Sequence, residues 1–61
     1  MLYGKIINVD SQAQNAQVEQ DLNKRVFDFP FDVWEDEISE LKKGVEVEFV
    51  VEMKAVTKIH L

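Results

Sequence analysis

Cysteine is absent from the 61 residues, and histidine, proline and tryptophan occur once each. Without cysteine the chain forms neither a disulfide nor a thiolate metal site. A single imidazole, that of His60, leaves a triad or a histidine-based metal centre without its second histidine. Two isolated glycines, Gly4 and Gly44, do not make a glycine-rich phosphate loop. A domain of this size must therefore be stabilised by a compact core or by a partner.

Long apolar runs are also missing. No stretch approaches the roughly 18 residues that a membrane span requires. The first residues lack a basic segment followed by a long apolar core, so we expect no secretory signal. The chain is therefore expected to form one domain over residues 1–61, to have no membrane partner and, by default, to be cytoplasmic.

Acidic residues outnumber basic residues in the chain. Twelve acidic and seven basic residues give a net charge of −5. Residues 1–30 carry three positive and four negative charges, residues 31–44 two and five, and residues 45–61 two and three. The excess of acid lies in the middle, and such a chain repels phosphate backbones at long range.

Short segments rich in β-branched and aromatic residues, separated by turn signals, predict a mainly β domain. The clearest segment has apolar residues alternating with glutamates, which predicts one core-facing side. Residues 13–20 are polar and fit a helix or a strand, and we favour a weak strand. Residues 21–24 are predicted to form a hairpin turn. The predicted strands cover residues 2–9, 13–20, 25–29, 44–53 and 55–61. The core-facing residues of the clearest strand are Val45, Val47, Phe49, Val51 and Met53.

One helix is predicted, over residues 32–43. Asp32 can cap it, Glu35 stands three residues later as in a capping box, and Gly44 suits the C′ position. Its apolar stripe consists of Trp34, Ile38 and Leu41.

Trp34 has two interpretations. As part of the apolar stripe it should be buried, which we favour. Tryptophan is also enriched in interface hot spots, so Trp34 is the candidate protein-interaction residue if it is exposed.

Five strands with a helix between the third and fourth is the element order of a five-stranded Greek-key barrel of the OB type. The alternative is an open antiparallel sheet with one helix packed on a face. Four segments carry a further resemblance: Gly4-Lys5-Ile6, residues 26–30, residues 41–51 and residues 55–59. Gly4-Lys5-Ile6 is similar to the Gly-x-Val of the cold-shock domain family, and residues 41–51 are similar to its Leu-x-x-Gly-x-x-Val-Glu-Phe-x-Val. Residues 26–30 match the position of its Val-Phe-Val-His-Phe, and residues 55–59 resemble its closing strand.

The resemblance implies a small barrel that binds single-stranded RNA or DNA by stacking bases on exposed aromatic rings. Most of those rings are replaced here. The family's Lys-Gly-Phe-Gly-Phe-Ile motif falls on residues 13–18, which have no aromatic, and its opening tryptophan falls on Asn8. In the second motif Phe27 matches, Phe29 replaces the histidine and Pro30 replaces the last phenylalanine. Each missing ring removes about 1–3 kcal/mol of stacking per base.

The phase of the third strand bears on the same question. If Phe27 and Phe29 point outward, as the resemblance implies, Asp28 points inward, where an unpaired carboxylate is costly. The opposite phase buries both rings and exposes Asp28, and we favour it. A β-bulge would permit the family phase.

Carboxylates are numerous but do not predict a catalytic or metal site. Those at positions 46, 48 and 52 share a strand face, where like charges stay ionised and solvated. The acidic cluster of residues 32–40 lacks the alternating ligands and central glycine of a calcium loop. We therefore expect no enzyme activity, no cofactor, no metal and no small-molecule site.

Two functions remain. The first is a binding module with weakened or lost nucleic-acid binding that acts on a protein partner, whose identity the sequence does not specify. The alternative is a weak single-stranded RNA- or DNA-binding protein of the cold-shock type. The candidate nucleic-acid residues are Tyr3, Lys5, Lys24, Arg25, Phe27 and Phe29.

Overall fold

A single five-stranded antiparallel sheet makes up most of the computed structural model, which describes residues 1–61. The strand order is β3-β2-β1-β4-β5, so that β1 pairs with β2 on one side and with β4 on the other. The edge strands β3 and β5 come into contact without a ladder of backbone hydrogen bonds, so the sheet curls but does not close. We call the contact between these two edges the seam. The strands are β1 (Leu2–Asp10), β2 (Asn15–Gln20), β3 (Val26–Pro30), β4 (Glu46–Glu52) and β5 (Ala55–His60).

Short polar side chains fix the turns of the first two hairpins. The Oδ1 atom of Asp10 accepts hydrogen bonds from the backbone N–H groups of Gln12 and Ala13, at 3.1 Å each. In the next turn, the Oδ1 atom of Asn23 accepts one from the N–H of Arg25, also at 3.1 Å. Such local bonds are the reason that Asp and Asn favour turns. The predicted turn at residues 21–24 is thus confirmed, and all five predicted strands are present.

The core lies inside the curled sheet. Phe49 and Phe29 are its largest fully buried side chains, and Phe27 packs on Phe49 with a ring-centroid separation of 5.9 Å and an interplanar angle of 60°. A tilted arrangement of this kind is favoured by the ring quadrupoles. The buried apolar residues are Ile6, Ala16, Val18, Phe29, Trp34, Leu41, Val47, Phe49, Val56 and Ile59.

The alternation predicted for the fourth strand is confirmed in its centre and wrong at its end. Val47 and Phe49 are buried, and Val45 and Val51 are half-buried against the core. Met53, however, is 98% exposed, because it lies in the β4–β5 turn with a positive φ of 52°. A register shift between Val50 and Val51 ends the regular alternation just before this turn.

Gly4 is buried on the central strand β1, opposite Gln20 of β2 and Val47 of β4. A Cβ atom built on it would overlap the backbone carbonyl oxygen of Glu19 and crowd the ring of Phe49. Only glycine permits so close an approach of two backbones. The requirement is steric, since the φ of Gly4 is not among the positive values, whereas Gly44 has a φ of +93° and open space around it.

The predicted helix over residues 32–43 is wrong, because the segment contains only two 3₁₀ turns, Phe31–Val33 and Ile38–Glu40. A twelve-residue helix is marginal without tertiary support. Like charges at positions 32 and 36, four residues apart, weaken it further. The backbone instead bonds to the last strand: the N–H of Glu35 donates to the Ile59 carbonyl at 2.9 Å.

The side chains of the segment that was predicted to be helical are divided between core and solvent. Trp34 is 7% exposed, forms an isolated parallel bridge with Ile59 and donates its Nε1–H to the Glu37 carbonyl at 2.9 Å. Leu41 is also buried, but Ile38 is 53% exposed. The predicted burial of Trp34 is therefore confirmed, although Ile38 does not share it. No helical segment of the chain has both the length and the apolar character needed to cross a membrane.

Candidate functional site

The outer face of the sheet is the surface on which the family resemblance places nucleic acid. Antiparallel partners that stand directly opposite each other point to the same side of a sheet. The strand register therefore gives the rows of side chains that cross this face. From β3 towards β4 these rows are Val26–Glu19–Lys5–Glu46, Asp28–Gln17–Asn8 and Pro30–Asn15–Asp10. Towards β5 there are the rows Tyr3–Glu48–His60, Val50–Lys58 and Glu52–Ala55.

Lys5 is the only lysine or arginine on the central strand of these rows, and the other cation of the face, Lys58, lies on the edge strand β5 opposite Val50. Lys5 stands directly opposite Glu19 on one side and Glu46 on the other. Two carboxylates beside one ammonium group leave a local excess of negative charge. Lys5 therefore offers little attraction to a phosphate.

The central row carries amides and a carboxylate where stacking rings would be needed. Asn8 is paired with Gln17, and Gln17 with Asp28. The Nε2 atom of Gln17 donates to Oδ1 of Asp28 at 2.8 Å, which fixes the two side chains across the strands. Neither an amide nor a carboxylate supplies the aromatic face on which a base stacks.

Phe27 and Phe29, two of the predicted nucleic-acid residues, do not reach the outer face. Phe29 is 1% exposed and Phe27 is half-buried against the core, while Asp28 between them is exposed. The inward phase is thus confirmed, and neither ring is presented to a base on the outer face. The physical reason is that the alternative phase would bury the Asp28 carboxylate.

The other four candidates are exposed but do not form one cluster. Tyr3 and Lys5 lie on β1, whereas Lys24 and Arg25 belong to the turn between β2 and β3. Tyr3, at 58% exposure, is the one aromatic ring available on the outer face. Trp34, the candidate interaction residue, lies in the core and does not present its ring to a partner.

A groove that the sequence did not predict opens at one end of the seam, between the start of β3 and the β4–β5 turn. Its apolar residues include Phe27, Val51 and the exposed Met53, and it has two cations, Arg25 and Lys54. We call it the seam groove. It is lined by Leu2, Gln20, Arg25, Val26, Phe27, Val51, Met53 and Lys54.

The seam groove was missed because its residues come from four separate parts of the chain. One local signal was present, an apolar residue beside a lysine at a hairpin tip. It was not used, because the alternating pattern assigned Met53 to the core. A shallow apolar depression continues from the groove past Leu2 and Gln20 to Tyr3 and Leu22. Leu22 is 89% exposed, so several of the exposed apolar side chains gather at this end of the molecule.

Histidine, aspartate and glutamate side chains do not form a cluster suited to binding a metal ion, since no group of three or more of them is placed to hold one. The ring of His60 is half-buried, and its Nδ1 atom lies 2.8 Å from the backbone oxygen of Leu61. This contact joins adjacent residues.

Comparison with protein-family models, curated proteins and solved structures found no match to this chain.

Proposed function

We propose that the chain is a non-catalytic binding module, an OB-type barrel resembling a cold-shock domain, which has lost most nucleic-acid binding and acts through protein contacts. The strand order supports the barrel assignment. A meander of β1, β2 and β3, with β4 paired to β1 and β5 returning beside β3, is the connectivity of such a Greek-key barrel. The contact at the seam fits the partly open form of that fold.

The composition of the outer face carries the functional part of the proposal. Its rows contain six carboxylates and two lysines, and Tyr3 is its single exposed aromatic ring. Binding of single strands requires a positive groove and several stacking platforms. A face of this composition repels the phosphate backbone and gives the bases little to stack on.

Protein contacts are favoured because the exposed apolar side chains are concentrated elsewhere. The seam groove and the adjoining depression gather them at one end of the barrel, beside two cations. A contiguous exposed apolar surface with a polar rim is typical of an interaction site. The alternative, weak binding of single-stranded nucleic acid, would use Tyr3, Lys24 and Arg25 from the same end.

A titration with labelled single-stranded oligonucleotides distinguishes the two functions. We expect dissociation constants of about 10⁻⁴ M or weaker at physiological salt, the range of nonspecific contact. Residual binding should weaken as salt is raised and should be lost in the variant Lys24→Glu/Arg25→Glu. The control Lys42→Glu/Lys43→Glu changes the net charge equally and should retain that residual binding.

Amide chemical shifts recorded during the same titration locate any contact. Under the proposal, the amides of Asn8, Asn15 and Gln17 on the outer face stay unchanged. A micromolar complex that resists salt, with shifts centred on those residues, would show that the nucleic-acid function has been kept and that the proposal is wrong.

A further inference from the structure

The seam groove differs in charge from the rest of the molecule. Twelve acidic residues outnumber seven basic ones in the chain, yet none of the eight residues that line the groove is acidic. Arg25, from the β3 side of the seam, and Lys54, from the β4–β5 turn, line the groove together with the apolar Phe27 and Val51. This arrangement is complementary to an apolar side chain that has carboxylates on either side of it.

The tip of the β4–β5 hairpin holds Met53 and Lys54 in this position at a conformational cost. Their φ angles are 52° and 68°, values that suit asparagine or glycine better than these residues. Met53 is almost fully exposed, so burial within one copy does not offset the strain. Strained backbone of this kind occurs preferentially where a surface is used for binding.

The matching surface is present on the same chain. Residues 35–40 between β3 and β4, here called the acidic segment, carry the exposed Ile38 with Glu37 before it and Glu40 two residues after it. Ile38 and its flanking carboxylates are what the groove requires of a ligand.

The acidic segment is held in one shape by several hydrogen bonds, among them the bond from the N–H of Glu35 to the Ile59 carbonyl. The Glu37 carbonyl accepts the Nε1–H of Trp34 at 2.9 Å and the N–H of Glu40 at 3.0 Å. The carboxylate of Asp36 accepts the N–H of Leu61 at 2.7 Å. A segment fixed in this way loses little conformational entropy when it binds.

The two surfaces lie at opposite ends of the barrel. The seam groove is at the start of β3 and the end of β4, whereas the acidic segment joins the end of β3 to the start of β4. One copy therefore does not place its own segment in its own groove. When the segment of one copy occupies the groove of another, the contact joins two different surfaces and is therefore heterologous. The groove of the first copy and the segment of the second copy then stay free.

We propose that a second copy of this chain docks its acidic segment into the seam groove, with Ile38 against the apolar side chains of the groove and the carboxylates of Glu37 and Glu40 beside Arg25 and Lys54. This proposal rests on the proposed function, since it names the protein partner of a protein-binding module. The contact is small and the molecules carry like net charge, so the association is weak and transient. Because it is head-to-tail, it extends beyond a dimer.

Sedimentation equilibrium and amide chemical shifts over about 0.02 to 2 mM protein, a range suited to weak interfaces, test the proposal. The average mass should rise past that of a dimer without a plateau. Amides of Phe27, Val51 and Met53 in the groove should shift together with those of residues 37–40. Constant mass and constant shifts over this range, or a mass that stops at a closed dimer, would overturn the proposal.

Exchanging the charges provides a sharper test. The groove variant Arg25→Glu/Lys54→Glu and the segment variant Glu37→Lys/Glu40→Lys each place like charges on both surfaces, so each alone should associate at least about tenfold more weakly. An equimolar mixture restores opposite charges at the contact and should regain association. A mixture in which both variants stay monomeric refutes the docking.

The variant Lys42→Glu/Lys43→Glu is the matched control. Two exposed cations are replaced, as in the groove variant, and both proteins reach a net charge of −9 from −5. The control should retain self-association, whereas equal losses in both variants would assign the effect to net charge and reject the groove. The oligonucleotide titration tests the outer face separately, so a failure of self-association leaves the proposed function standing and can be distinguished from a failure of that function.

Discussion

Phe49 has no exposed surface and lies opposite Leu2 on one neighbouring strand and opposite Ile59 on the other. We expect Phe49→Ala to lower the free energy of unfolding by about 3–5 kcal/mol, through lost transfer energy and the cavity left behind. Urea unfolding followed by circular dichroism measures the change. Because so small a domain is only marginally stable, Phe49→Ala can leave too little folded protein to measure, and Phe49→Leu should be measured beside it. Phe49→Leu should lower the free energy of unfolding by less.

Met53 gives the matched control, since the alternating pattern assigned it to the same core face. As Met53 is almost fully exposed, Met53→Ala should change the free energy of unfolding by no more than about 0.5 kcal/mol. Equal stability of Phe49→Ala and the parent would contradict the position of β4 in the core.

At the scale of elements, the β4–β5 hairpin has the clearest conflict between sequence and conformation. Two successive residues with positive φ, Met53 and Lys54, form its tip. Asn-Gly is the dipeptide that this kind of turn favours. We expect Met53→Asn/Lys54→Gly to raise the free energy of unfolding by about 0.5–2 kcal/mol, measured by urea unfolding.

The same hairpin variant should lose self-association, because it removes the wall of the seam groove and one of its cations. Greater stability with weaker binding is the usual result of relieving strain at a binding surface. An unchanged or lower stability would show that the left-handed tip is not strained. The single variant Lys54→Gly separates the backbone effect at that position from the asparagine at position 53.

The segment between β3 and β4 shows how neighbouring elements decide local structure. Its capping and amphipathic signals favour a helix, but the bonds from Glu35 to Ile59 and from Leu61 to Asp36 tie it to β5. Trp34 and Leu41 still reach the core from an extended backbone. The hydrophobic content of the segment was therefore informative even though its periodicity was misleading.

On the scale of the whole molecule, the barrel proposal predicts that nucleic-acid binding can be restored. The outer-face residues Asn8, Asn15 and Gln17 occupy the positions at which the cold-shock resemblance places aromatic rings. The variant Asn8→Trp/Asn15→Phe/Gln17→Phe should bind single-stranded oligonucleotides at least about 100-fold more tightly than the parent. The basis is a stacking contribution of about 1–3 kcal/mol per ring, partly offset by the acidic neighbours.

Fluorescence anisotropy of a labelled oligonucleotide measures this gain. The control places the three rings on exposed positions outside the strands of the sheet, as Ser39→Trp, Gln12→Phe and Lys42→Phe. The control should not gain affinity beyond nonspecific contact. No gain in the outer-face variant, with the fold intact by circular dichroism, would count against the cold-shock-like arrangement of that face.

Features that depend on a few neighbouring residues could be predicted from the amino-acid sequence. Alternation located the strands, Asp10 and the residues near Asn23 located turns, and the cost of burying Asp28 predicted the inward phase of Phe27 and Phe29. Three other outcomes emerged from the folded chain: residues 32–43 form no helix, Met53 leaves the core, and Glu19 and Glu46 flank Lys5. Those outcomes depend on which strands become neighbours, and pairing energies between distant segments outweigh local propensities of a few tenths of a kcal/mol per residue.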